Sequence, residues 1–134
     1  MYELPVIRLG ESTDARGVSF TVPEVLLSRL KAVKDVHIAE VRPGSVRGNH
    51  FHTKRTELIA VVAAEKWSVH WDTGWGTDTH SLVFEGGGYA LFPPVGWSHA
   101  IKNIGSSSLW IFAASDIAFD SSSDSNDTER RPLV

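Results

Sequence analysis

The stretch Gly44-Ser-Val-Arg-Gly-Asn-His-Phe-His-Thr-Lys-Arg-Thr-Glu57 carries two histidines separated by one residue and, after a short gap, a glutamate. In an extended segment His50 and His52 leave the same face, and Phe51 between them must point to the other. Glu57 lies far enough along to enter from the neighbouring strand. A further ligand must come from elsewhere. His99 qualifies, because it lies in Gly88-Tyr-Ala-Leu-Phe-Pro-Pro-Val-Gly-Trp-Ser-His-Ala-Ile-Lys-Asn103, where a Pro-x-Gly turn delivers it at the start of another strand. Three imidazoles and one carboxylate suit Zn, Fe(II), Mn, Ni or Co, and the donor set does not choose among them. On a six-coordinate metal they leave two positions for a substrate or oxygen, which is the catalytic case.

Working outward from these blocks, the chain is a series of short segments rich in Val, Ile, Phe and Trp, punctuated by Gly, Pro and Asp. Strands are expected at 35–41, 47–52, 56–63, 66–71, 80–84, 89–92, 99–103 and 109–114. Trp67-Ser-Val-His-Trp71 alternates, so Trp67, Val69 and Trp71 should face the interior and Ser68 and His70 the other side. One short helix is expected within Val22-Pro-Glu-Val-Leu-Leu-Ser-Arg-Leu-Lys31, where Leu26, Leu27 and Leu30 would share a face. The count of strands predicts an all-β sandwich or barrel. Residues 1–119 read as a single domain, and residues 120–134 as a polar tail, partly disordered or packed on a partner subunit.

The 134 residues suffice to bury a core without staples, and no linker or repeat divides them. Thirteen Lys and Arg stand against sixteen Asp and Glu, with no basic stripe, which argues against a nucleic-acid partner. Cysteine is absent, removing disulfides and thiolate chemistry. The N-terminal Met-Tyr-Glu-Leu-Pro lacks the regions of a signal peptide, and no apolar run approaches membrane-spanning length. A soluble cytoplasmic protein is expected.

The two blocks resemble the paired motifs of the cupin superfamily, with Gly44, His50, His52, Glu57, Gly88, Pro94, Gly96, His99 and Asn103 at the family spacing. The departure is Ala64, where the motif has a closing glycine. The resemblance implies a double-stranded β-helix, or jelly-roll, barrel with at most one short N-terminal helix, and a metal held by His50, His52, Glu57 and His99. Within the cupins, Asp14-Ala-Arg-Gly17 with Phe20, Val46-Arg-Gly-Asn-His-Phe-His-Thr-Lys54 and Gly96-Trp-Ser-His-Ala-Ile-Lys-Asn-Ile-Gly105 are similar to sugar-nucleotide epimerases and ketoisomerases. Metal-free deoxysugar ketoisomerases share the Arg-Gly-x-His-x-His phrase but typically lack the glutamate. Retention of Glu57 resembles the zinc-binding cupin domain of bifunctional capsular-polysaccharide enzymes, which favours zinc.

That resemblance implies an isomerase or epimerase of a 4-keto-deoxy sugar nucleotide, working through an enediolate. Glu57 or His70 would serve as the proton-transfer group, the latter turning inward if the missing glycine at Ala64 creates a bulge. Arg47 could contact an anionic nucleotide diphosphate, whereas Lys54 reads as solvated surface. Trp97, beside the His99 turn, and Trp75, in a hairpin loop, are the tryptophans placed to stack on a sugar or base ring. His37 and His80 read as surface or rim histidines. A metal-dependent oxygenase and a non-catalytic small-molecule-binding module remain open alternatives, because one barrel hosts many chemistries. A homodimer is expected from cupin habit and from edge strands that need covering.

Overall fold

The computed structural model describes residues 3–118 and 127–134. Phe119 and the first part of the polar tail, residues 120–126, lie outside them. The described residues form β1 (Val6–Arg8), β2 (Gly10–Asp14), β3 (Gly17–Thr21), α1 (Glu24–Leu27), β4 (Asp35–Val41), β5 (Val46–His52) and β6 (Glu57–Ala63). Then follow β7 (Trp67–Asp72), β8 (His80–Phe84), β9 (Gly87–Leu91), β10 (Ser98–Asn103), β11 (Leu109–Ser115) and β12 (Thr128–Arg130). Two five-stranded antiparallel sheets, ordered β1-β9-β6-β11-β4 and β12-β5-β10-β7-β8, face each other, and β2-β3 forms a separate hairpin. This is the jelly roll that the sequence predicts.

Side-chain alternation divides each strand between two environments. From β6, Ile59, Val61 and Ala63 point between the sheets and meet Trp67, Val69 and Trp71 of β7, Ile101 of β10, and Leu109 and Ile111 of β11. The intervening Leu58 and Ala60 point outward, where Leu9, Leu26, Leu30, Phe92 and the ring of Phe20 cover them. Thus the β2-β3 hairpin and α1 form a lid over the β9-β6 half of one sheet. Gly88 is tied to that lid: a side chain there would meet the Phe20 ring at 2.5 Å.

The predicted strands match within a residue or two, and the helix is shorter, a single turn entered from Pro23. The β1 strand, the hairpin and β12 are additions. Expectation and structure differ at the bulge. At Ala64 the backbone keeps an ordinary φ, and β7 pairs with both neighbours in unbroken register. The irregularity lies in β5, where Gly48 (φ 99°) and Asn49 (φ 55°) shift the register against His99 and Ala100. The tail also differs. Its described part returns to its own barrel, pairing Thr128 with His52 and Arg130 with His50.

Candidate metal centre

His50 and His52 on β5, His99 on β10 and Glu57 at the start of β6 all project between the sheets. The strand alternation predicted for β5 explains the first two: Phe51 between them lies on the outer face, edge-to-face with Trp75 at 6.4 Å between ring centres. The β5 bulge lets His50 sit directly across from His99, with ring centres 4.9 Å apart. Gly48 makes that approach possible, because a Cβ there would stand 2.6 Å from the His99 carbonyl oxygen. One ligand nitrogen from each of the three histidines lies within 4.8 Å of the other two. The Glu57 carboxylate sits 3.4 Å from His52 Nε2 and 3.5 Å from His99 Nε2.

The outer nitrogens are already engaged. His99 Nδ1 donates to the Trp97 carbonyl at 3.3 Å, and His52 Nδ1 donates to Thr128 Oγ1 at 2.9 Å. Thr128 Oγ1 donates onward to Asp127 Oδ1, and Asp127 holds Arg55 through Nε and Nη2 at 2.9 and 3.1 Å. Such outer contacts fix the tautomer so that the lone pair of each ring points inward. Both Nε2 atoms are buried without a hydrogen-bond partner, since their distances to Glu57 exceed a good charge-assisted hydrogen bond. Buried orphaned acceptors are costly in a native fold, and a cation among them removes the cost. The spacing to Glu57 also matches the edge of a tetrahedron with zinc–ligand bonds near 2.0–2.1 Å, about 3.4 Å. The residues therefore fit a divalent metal.

Electrostatics agree with that chemistry. Burial pushes His50 down to about 4, helped by the neighbouring His99 and His52 rings, so it stays neutral and able to donate a lone pair. Burial opposes ionisation of Glu57, but N–H groups or positive charge facing it from the His52 and His99 side hold the carboxyl below its ordinary range, a role that a cation among the ring lone pairs would take over. A cavity of ≈ 520 Å³ opens onto the cluster. Its wall is apolar where Ile59, Ile101 and Ile111 line it and polar toward the mouth, where Asp35, His37 and Arg47 stand.

Several expected site residues lie elsewhere. His70 shares the outer face of β7 with Ser68, whose hydroxyl it meets at 2.9 Å, because β7 keeps its register and has no bulge to turn it inward. Trp97 packs against the inter-sheet core and does not line the cavity. Trp75 is 66% exposed and lies under the Arg131 guanidinium on the outer side of β5. Arg47 does reach the cavity mouth, its Nε bound to the Glu40 carbonyl at 2.8 Å. His37 stands at that rim, as its sequence context predicts. Arg55, Asp127 and Thr128 were not expected; the sole local signal is the placement of Arg55 inside the first ligand block, between His52 and Glu57.

A family model described as "Polysaccharide biosynthesis C-terminal domain" matches residues 12–128. No curated protein matches the chain by sequence. Among solved structures, the capsular polysaccharide assembling protein CapF from Staphylococcus aureus is 20% identical, with a TM-score of 0.63 over 99% of this chain and 34% of that one. The chain thus spans about a third of the length of CapF. A dTDP sugar isomerase from Desulfovibrio desulfuricans is 16% identical, with a TM-score of 0.73 over 97% of this chain and 84% of that one. The 3,4-ketoisomerase QdtA from Thermoanaerobacterium thermosaccharolyticum, solved as a mutant with TDP-4-keto-6-deoxyglucose, is 12% identical, with a TM-score of 0.67 over 98% and 89%. These likenesses establish a shared jelly-roll cupin fold.

Proposed function

Since the chain belongs to the polysaccharide biosynthesis C-terminal domain family, we propose that it is an isomerase or epimerase of a 4-keto-deoxy sugar nucleotide acting by enediolate-type proton transfer. The observation that carries this reading is the pair of buried, partnerless Nε2 atoms of His52 and His99 beside the Glu57 carboxylate, at the wall of an open cavity. The substrate class draws support from the solved isomerases of similar fold, one of them holding TDP-4-keto-6-deoxyglucose. His50, His52, Glu57 and His99 would hold one divalent transition metal, zinc before iron, manganese, nickel or cobalt. When bound, such an ion stabilises negative charge developing on a ketone oxygen.

The chain's own residues supply the rest. Arg47 at the mouth offers a guanidinium to a diphosphate, and the isoleucines on the wall exclude water from the reacting carbon. Absence of cysteine favours a cytoplasmic setting. A homodimer is supported by the outer face of β4 and β11, where Val36, Ile38, Trp110 and Phe112 are 60, 61, 45 and 42% exposed. The lid of hairpin and helix leaves that half of the sheet bare, and a patch of this kind calls for a partner.

The test offers the metal-loaded protein a panel of 4-keto-6-deoxy sugar nucleotides in deuterated water. Deuterium entering the carbon beside the ketone is expected. Its absence across the panel, together with Fe(II)-dependent oxygen uptake, would replace this reading with an oxygenase.

A further inference from the structure

We propose that Asn49 is a positioning residue of the metal centre, clamping β12 and the residues after it onto the β5 bulge so that His50 and His52 are held in ligating positions; the assignment rests on the metal-binding reading above. β5 carries two of the four ligands, and β12 is its neighbour on the side away from β10. Thr128 stands opposite His52 and Arg130 opposite His50. Strand pairing ends there, at the edge of the bulge formed by Gly48 and Asn49. Asn49 carries the connection further. Its main-chain carbonyl accepts from Arg131 N–H at 2.7 Å, its Oδ1 accepts from Leu133 N–H at 2.9 Å, and its Nδ2 donates to the Val134 carbonyl at 3.1 Å. A carboxamide offers the donor and acceptor of a peptide unit, so the side chain acts as one more rung of the ladder. The backbone φ of 55° is one that asparagine tolerates better than most residues. The position therefore asks for a left-handed backbone and an amide together, and asparagine supplies both.

Beyond β12 the chain is anchored a second time. The Arg131 guanidinium donates through Nε and Nη2 to Asp72 Oδ2, at 2.9 Å each, and the Asp72 side chain is fully buried. Asp72 pairs across the sheet with Ser98, the chain neighbour of His99. The same guanidinium lies over Trp75, whose ring meets Phe51 between the two β5 histidines. Three ligands are thereby braced from behind: His52 through Thr128, His50 through Asn49, and His99 through Asp72 and Ser98. Such coupling is reciprocal. Whatever factor the clamped segment adds to metal affinity, bound metal adds to the clamping of the segment.

The experiment measures Zn(II) affinity by chelator competition and the visible spectrum of the Co(II)-loaded protein in wild type, Asn49→Gly and Asn49→Asp. Amide hydrogen exchange of the wild type is read with and without Zn(II). Asn49→Gly keeps the positive φ free of strain and removes the amide. Its Zn(II) affinity is expected to fall about tenfold and its Co(II) bands to shift, because an outer contact that aims a ligand is lost. Asn49→Asp retains Oδ1 as acceptor for Leu133 N–H and should recover the wild-type spectrum and most of the affinity. A merely structural role would lower the thermal midpoint and leave the spectrum of the folded protein as it is. In the wild type, Zn(II) should slow exchange at Arg131 and Leu133 about tenfold more than in the β2-β3 hairpin, by the reciprocity above. Wild-type affinity and spectrum in Asn49→Gly overturn the positioning role alone, as does exchange at Arg131 and Leu133 that Zn(II) leaves unchanged. A wild type that binds neither ion overturns the metal centre, and this role with it.

Discussion

The ligand cluster and the rim around it stand in the same cavity but come from differently informative parts of the chain. The cluster is built from residues close in sequence to turns and glycines that set their positions, so its spacing survives as a readable pattern. The rim is built from β4, from Arg55 and from Thr128 with Asp127 behind it, which meet only in the folded barrel. Asp127 and Thr128 reach the cluster across more than seventy residues of chain. Local spacing therefore reports where a ligand set is, and long-range pairing decides how its members are aimed.

The sharpest way to break the cluster is through the backbone that permits it. Gly48→Ala forces a Cβ into the His99 carbonyl at a position with φ of 99°. A loss of about 3 kcal/mol or more is expected in denaturant unfolding, together with weakened metal retention, because strand separation and backbone strain add. A variant of unchanged stability would show that the β5 bulge is not what seats His50 against His99.

The rim is tested next through Asp127. Asp127→Asn leaves Arg55, 13% exposed in its side chain, without its carboxylate, for an expected cost of about 3 kcal/mol at neutral pH. Burial works against ionisation of Asp127, but the Arg55 guanidinium prevails and holds its pKa below the ordinary 3.8. A depressed carboxylate stabilises fully above its unfolded value and loses that contribution as pH falls through the folded one. Thermal melts of wild type and variant should therefore differ above pH 4 and converge below it. A gap that persists into strong acid would contradict an ionic origin.

Thr128→Val separates aim from presence. It removes the acceptor for His52 Nδ1–H without touching a ligand, and metal affinity measured by chelator competition should fall by about tenfold. Equal affinity would show that the tail does not orient His52. The smallest effect belongs to His70→Ala, which should leave metal content unchanged and activity within about twofold, as expected of a residue on the outer face.

Much of the barrel was legible because its strands alternate between turn residues. From β4 to β11 the apolar periods and the Gly, Pro and Asp punctuation placed every strand. The second motif block ends at Asn103, whose amide donates to the Val41 and Ser107 carbonyls at 2.8 Å each. β12 was not legible, because Thr128-Glu-Arg130 has no apolar period and exists as a strand only by pairing with β5. The facing of β4 ran against its pattern. Val36 and Ile38 point outward, while Asp35 and His37 point into the cavity from the same row as Ala39 and the buried Val41. In the first half of β4 the apolar residues therefore lie on the uncovered sheet face, and the usual inward placement returns at Val41. Trp75 and Trp97 misled for a related reason: loop and turn positions suggested ligand stacking, whereas an Arg131 cation and the core occupy those rings.

The central claim is that His50, His52, Glu57 and His99 hold a metal. Elemental analysis of protein purified without added metal, alongside His50→Ala and His99→Ala, tests it directly. About one transition-metal ion per wild-type chain is expected, and close to none in either variant. Wild-type protein that carries no transition metal and fails to rebind one would contradict the account.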